Sequence, residues 1–295
     1  MNAARTAADP EGCHLLVSED GDVVERDGPF LRADDLGALR GDGIFEAFLV
    51  VDGSPDLLDE HLARLERSAA MTGLRLPPDD RWRRGVEAAI AAWRGGPEMV
   101  VRFIVTRGVE GHGRPTTYLL ADPVNPTIMA QRLDGISVLS LERGLDPDLA
   151  ERAPWLLMGA KTLSYAVNMA AQRWAQEHGA DDIVFVGPGG VILEGPTSSV
   201  VVARGRRLSS PPPSLGILAS ISLGGLFAAA PAAGWDVGYD ELSVADLLAA
   251  DAVWLVSSIR LAARVHTLDG KALPEAGAGF HAELAALVGP RGAAR

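Results

Sequence analysis

The chain has 295 residues, 47% hydrophobic and 22% charged, with a formal net charge of −12 at pH 7. That length predicts about two domains of roughly 150 residues, the apolar fraction fills a globular core, and the acidic balance excludes nucleic acid and anionic membranes as general partners. One cysteine, Cys13, makes an intrachain disulfide impossible, and Met1–Pro10 carries no apolar core like that of a signal peptide, so the chain reads as a soluble cytoplasmic protein.

The weak alternation from His14 to Val24 predicts a strand pair around Asp20-Gly21. Ile44–Val51 reads as a strand ending in a turn at Asp52-Gly53. From Leu58 the spacing becomes helical, with Leu58, Leu62, Leu65 and Ala69 on one face. A second helix spans about Asp80 to Trp93, stopped by Gly95-Gly96-Pro97. Met99–Thr106 is a strand rich in β-branched residues, and Thr117–Ala121 is its partner. These elements make up a small N-terminal α/β domain, 1–130. Residues 131–137 read as an interdomain linker, and 138–295 as a larger domain. In the latter, a helix after Lys161 is expected to group Leu163, Ala166, Val167, Ala170 and Trp174 on one face. Asp181–Glu194 reads as a hairpin, with Ile183–Val186 and Val191–Leu193 joined through Gly187-Pro188-Gly189-Gly190. A strand near Val200 follows. The uncharged stretch Leu215–Trp235 is long enough for a membrane span, but its glycines, serines and Pro231 favour a loop and a buried helix. A helix from about Ser243 and a strand at Ala252–Ser257 complete the order.

Common signatures for nucleophile elbows, phosphate loops, dinucleotide binding and zinc proteases are missing, and the six histidines lack metal-ligand spacing. Four features point to chemistry. The chain has two lysines against 25 arginines, and Lys161 lies in an apolar neighbourhood ahead of a helix, where a desolvated amine can attack a carbonyl, with a stem packed on apolar surface and a head in water as the plain alternative. Glu194 ends an apolar strand, either as a surface strand end or, if buried, paired with a partner such as a protonated heterocycle nitrogen. Ser220-Ile221-Ser222 at a helix start, with Ser257-Ser258 after a strand, offers amides and hydroxyls to a phosphate, although each also reads as simple capping. Arg64 lies near the apolar face of its helix, able to reach inward to an anion, with a solvated arginine as the plain alternative. An amine for an aldehyde, a carboxylate for a pyridinium and donors for a phosphate together match pyridoxal 5'-phosphate (PLP).

The segments Gly41-Asp42-Gly43-Ile44-Phe45-Glu46, Leu58–Leu65, Lys161–Ala171, Leu193–Ser199, Gly216–Ser222 and Ser257–Gly270 resemble, in order, the fold-type IV PLP enzymes of the class IV aminotransferase family. The resemblance implies a two-domain α/β (α+β) fold with the cofactor between the domains, and usually a homodimer. It implies that Lys161 is the Schiff-base lysine and proton shuttle, that Glu194 faces the ring nitrogen, and that Arg64, Ser220, Ile221, Ser222, Ser257 and Ser258 surround the phosphate. Thr197, Ser198 and Ser199 would line the cofactor, and Leu218 would lie against its ring. Within the phosphate loop the chain departs from the family: Ser222 stands for a threonine, which keeps the hydroxyl, and Leu223 stands where an arginine is common.

Thr106–Arg114 resembles the Arg-Gly and glycine-rich loop of aminodeoxychorismate lyases, so the favoured expectation is release of pyruvate and 4-aminobenzoate from aminodeoxychorismate. That small anionic substrate carries two carboxylates, for which Arg107, Arg114 and Arg260 supply charge, with Phe45 beside it. Glu46 and Ala47 stand where such lyases carry threonines, which opposes this expectation. The alternative is transamination of D-amino or branched-chain amino acids. A PLP-binding protein without turnover has less need of both Lys161 and Glu194, and an unrelated α/β binding module would make the ordered segments coincidental.

Overall fold

A computed structural model describes residues 13–144, 146, 149–274 and 277–290, and the chain divides into two compact units. The opening segment Met1–Pro10 lies outside the described residues. The first unit runs to Val124 and also takes Lys161–Ser164 and Pro290; the second comprises Asn125–Ala160 and Tyr165–Gly289.

In the first unit, β1 (Leu15–Val17) and β2 (Val23–Val24) form the expected pair. The short helix α1 (Leu36–Arg40) precedes β3 (Gly43–Val51), β4 (Ser54–Pro55), α2 (Leu58–Thr72), α3 (Asp79–Ala92), β5 (Glu98–Thr106) and β6 (Thr116–Pro123). All strand pairs are antiparallel, in the order β2-β1-β6-β5-β3-β4. Asp52 and Gly53 both take positive φ, 49° and 76°, the twist a two-residue hairpin turn needs. Ile44, Phe48 and Val50 share one parity of β3 and pack with Leu62, Leu65 and Ala69 of α2 and Trp82, Val86 and Ala89 of α3.

The second unit contains α4 (Pro126–Asp134), β7 (Ile136–Glu142), α5 (Leu149–Arg152), α6 (Ala166–Glu177), β8 (Asp182–Val186), β9 (Ser199–Arg204), β10 (Arg207–Ser210), α7 (Ile221–Ala229), β11 (Asp236–Tyr239), α8 (Val244–Leu248), β12 (Ala252–Ser257), β13 (Leu261–Leu268), β14 (Lys271–Ala272) and α9 (Gly277–Val288). Its mixed sheet has the order β11-β10-β9-β12-β13-β7-β8, with β14 on β13. Val200 and Val202 of β9 belong to one apolar cluster, and Val201 and Ala203 to another. Both faces of the sheet are therefore covered, which explains why its central strands read as unbroken apolar runs. The Asp181–Glu194 hairpin forms: Phe185 N–H donates to the Glu194 carbonyl and Leu193 N–H to the Phe185 carbonyl, each at 2.8 Å.

Two expectations are corrected. Residues 131–137 are not a linker but the end of α4 and the start of β7. The chain leaves the first unit at Val124, and Asn125 then caps α4 by accepting from Thr127 N–H, with Pro126 in the first helical position. Lys161 groups with the first unit rather than with the larger second one. The face of α6 carrying Val167 and Trp174 is exposed, at 61% and 50%, while the small Ala171 and Ala175 form the buried side against Ile183 and Phe185. The Leu215–Trp235 stretch resolves into turns and the nine-residue α7, and no helix among the described residues is long and apolar enough to cross a membrane.

Candidate active site

Lys161 is fixed by backbone pairing to the first unit. Its carbonyl accepts from Phe45 N–H at 3.0 Å, and Leu163 N–H donates to the Gly43 carbonyl at 2.8 Å. Its own N–H donates to Oγ of the buried Ser68 on α2 at 3.1 Å. These bonds require close approach, which is why Gly43 has no side chain. A Cβ there would lie 2.6 Å from both Leu163 Cδ1 and the Val105 carbonyl oxygen. α6 begins only at Ala166, so β3 and α2, rather than the start of a helix, hold the lysine. Its side chain is half-buried, with Nζ 4.4 Å from the Phe45 ring centroid.

One strand position further on, Glu46 points to the core side of β3 and is fully buried. Its Oε1 accepts from Arg64 Nε at 2.7 Å, and its Oε2 from Arg64 Nη2 at 2.8 Å and His61 Nδ1 at 2.7 Å. Burial alone would push this carboxyl up, but the bonds from Arg64 and His61 prevail and bring it down to about 2. Burial likewise holds the His61 imidazole below its ordinary value, only partly opposed by Glu46. The triad is thus Glu46 anionic, Arg64 cationic and His61 neutral. Arg64 is not solvated: it is buried, with two donors on Glu46. Glu46 and His61 were absent from the sequence-derived site. The available signal was a carboxylate at a core-parity position of β3, facing a histidine and an arginine at successive turns of α2.

Two of the three candidate substrate arginines are engaged within the fold. Arg107 donates to Asp42 Oδ2 and to the Thr72 carbonyl, each at 2.7 Å, so it caps the C-terminal end of α2. Arg260 is buried in the second unit and donates to Oδ2 of the buried Asp182 at 2.7 Å. Arg114 alone of the three is exposed, with no ion-pair partner among the described residues. The ends of its loop are tied by the buried Asp35, which accepts from Thr106 Oγ1 at 3.0 Å and Thr116 Oγ1 at 2.7 Å.

In the second unit Glu194 follows the hairpin, half-buried, and its Oε2 accepts from Leu218 N–H at 3.2 Å. The next turn is held by Asn168 of α6, whose Nδ2 donates to the Pro196 carbonyl at 2.7 Å; sequence reasoning missed this residue. Thr197 is exposed and Ser198 and Ser199 are buried, with Ser198 Oγ lacking a hydrogen-bond partner among the described residues. Ser220 caps α7 by accepting from Leu223 N–H at 3.2 Å, so its hydroxyl is engaged. Ser222 of the first turn, next to Ile221, lies 3.1 Å from Ser258 by their oxygens. Ser257 Oγ accepts from Arg260 N–H at 3.2 Å, which shapes the turn presenting Ser258. These groups suit PLP: an amine, a carboxylate, a helix start with two adjacent hydroxyls, and a buried hydroxyl awaiting an acceptor or donor.

The first unit presents an amine on a segment paired to a β-strand, and the second presents a carboxylate and a hydroxyl cluster; these are group types that PLP enzymes use. The model of the amino-transferase class IV family matches residues 43–268, and the chain belongs to that family. It is 46% identical over 269 residues to the bifunctional aminodeoxychorismate lyase / D-amino acid transaminase of Mycobacterium tuberculosis, covering 88% of this chain and 93% of that protein. A hypothetical aminotransferase from M. tuberculosis, solved with PLP bound and also with α-ketoglutarate and PMP bound, matches at a TM-score of 0.89 and 45% identity, over 93% of this chain and 97% of that one. The fold IV-transaminase CpuTA1 of Curtobacterium pusillum matches at a TM-score of 0.88 and 40% identity, with the same coverage. The chain is a PLP-dependent enzyme.

Proposed function

We propose that this enzyme is an aminodeoxychorismate lyase, releasing pyruvate and 4-aminobenzoate, and that it also transaminates D-amino acids. The observation carrying this reading is the 46% identity, over most of both chains, to a protein named for both activities. PLP, when bound, supplies an aldehyde that takes up amines and a ring that withdraws electrons from the α-carbon. Lys161 offers its amine to that aldehyde and then takes the α-proton. Its backbone bonds to Phe45 and Ser68 fix where Nζ begins. Glu194 holds the proton on the ring nitrogen. Arg64, Ser222, Ser258 and the amide of Ile221 hold the phosphate. Ser198, Ser199 and Thr197 line the ring with Leu218, while Ser220 and Ser257 act through the turns they stabilise. Phe45 and Arg114 face the substrate.

A specific observation favours the transaminase half. The two-carboxylate substrate drew its support from three arginines, and two of them are engaged in the fold. Arg114 by itself suits a single carboxylate. The exposed Val167, Met169 and Trp174 on α6 support a homodimer that covers this apolar face. The discriminating experiment supplies aminodeoxychorismate and, separately, D-alanine with α-ketoglutarate. Pyruvate with 4-aminobenzoate in the first, and glutamate in the second, are expected. Glutamate formation with no 4-aminobenzoate would reduce the proposal to the transaminase, and neither product would overturn it.

A further inference from the structure

Arg64, assigned above to the cofactor phosphate, does not hold its direction unaided. A guanidinium on a long stem samples many rotamers. Glu46 removes that freedom. Its two oxygens meet Arg64 Nε and Nη2 at 2.7 and 2.8 Å, the parallel fork-to-fork geometry that fixes the guanidinium plane as well as its position. Glu46 is itself fixed twice, by its place in β3 between residues paired with β5 and by the His61 Nδ1 bond at 2.7 Å. His61 is in turn buried against Phe48, with ring centroids 5.2 Å apart. All three side chains are nearly excluded from solvent, so water cannot replace either contact.

We propose that Glu46 is a positioning residue for phosphate recognition: it presents the opposite edge of Arg64 to the cofactor's phosphate. This rests on the reading of Arg64 as a phosphate ligand. A purely structural carboxylate would stabilise the fold without discriminating between ligands, whereas a positioning residue acts selectively on the anionic group.

The test compares the apoprotein's dissociation constants for PLP and for pyridoxal, which carries the aldehyde and ring without the phosphate, by quenching of tryptophan fluorescence. Wild type is expected to prefer PLP at least a hundredfold. Glu46→Gln, which keeps the shape but not the charge, should lose at least tenfold of that preference while its pyridoxal affinity stays unchanged. Arg64→Lys keeps a cation but not the fork and should lose a similar factor, and adding Glu46→Gln to Arg64→Lys should cost little more. Where Glu46→Gln does not fold, Glu46→Asp and Arg64→Lys carry the same comparison. Equal losses for PLP and pyridoxal, or an unchanged ratio in the variants, overturn the inference. A wild type that binds both but prefers neither overturns the phosphate assignment of Arg64 and the inference with it, whereas a wild type that binds neither ligand contradicts the PLP reading itself.

Discussion

Replacing Glu46 by glutamine removes a buried charge whose contribution can be followed by pH. The carboxyl falls from an ordinary 4.5 to about 2 in the fold, which corresponds to about 3 kcal/mol of stability at neutral pH, from about 1.4 kcal/mol per pKa unit. Because the folded value is depressed, that stability is complete above the unfolded value near 4.5 and is lost as pH falls toward 2. The gap between wild type and Glu46→Gln should therefore be about 3 kcal/mol at pH 7 and should shrink by about half at pH 3. His61, held neutral by burial, also loses stability as pH falls below its ordinary value, but it does so in both proteins. Urea midpoints and slopes at a series of pH values give the comparison. A gap that stays constant from pH 7 to pH 3 would refute the reasoning, because it would mean that Glu46 titrates alike in the folded and unfolded chains.

Arg260→Met should strand the buried Asp182 carboxylate and cost about 3–5 kcal/mol, seen as a lower denaturation midpoint, and adding Asp182→Asn should recover part of it; a silent Arg260→Met would remove its structural assignment. Gly43→Ala must push against the Val105 carbonyl and Leu163, so about 1–3 kcal/mol of stability and most cofactor binding should be lost together; unchanged PLP affinity would show that the Lys161 segment does not depend on this approach. Trp174→Glu places a charge on the exposed face of α6, and light scattering should report a monomer where wild type is a dimer; a wild-type monomer would contradict the dimer.

Strand and helix identities were largely legible because β3, β5 and the hairpin before Glu194 combine period-two or fully apolar patterns with specific turns, Asp52-Gly53 and Gly187–Gly190 among them. The face of α6 was not. Periodicity finds an apolar side but does not say whether the fold or a partner covers it, and here the alanines face the core. The Asn125-Pro126 boundary was present as a cap signal, a few residues before the linker expected at 131–137. Lys161 and Glu194 stood out chemically, because an amine or a carboxylate in an apolar setting has few uses. The arginines did not, since the same side chain that reaches a substrate also closes a helix end, as Arg107 does, or neutralises a buried aspartate, as Arg260 does. Which duty it takes depends on contacts distant in sequence. Glu46 was seen as part of a family-like segment and as a departure from the lyases, not as a site residue; its meaning came from His61 and Arg64, 15 and 18 residues away.

The chain's two lysines make the decisive measurement simple. Protein loaded with PLP, reduced with borohydride and digested, is predicted to carry the cofactor's added mass on the peptide containing Lys161, and the Lys161→Ala variant to carry none. Label on the exposed Lys271 of β14, or no label at all on the loaded wild type, would contradict the account.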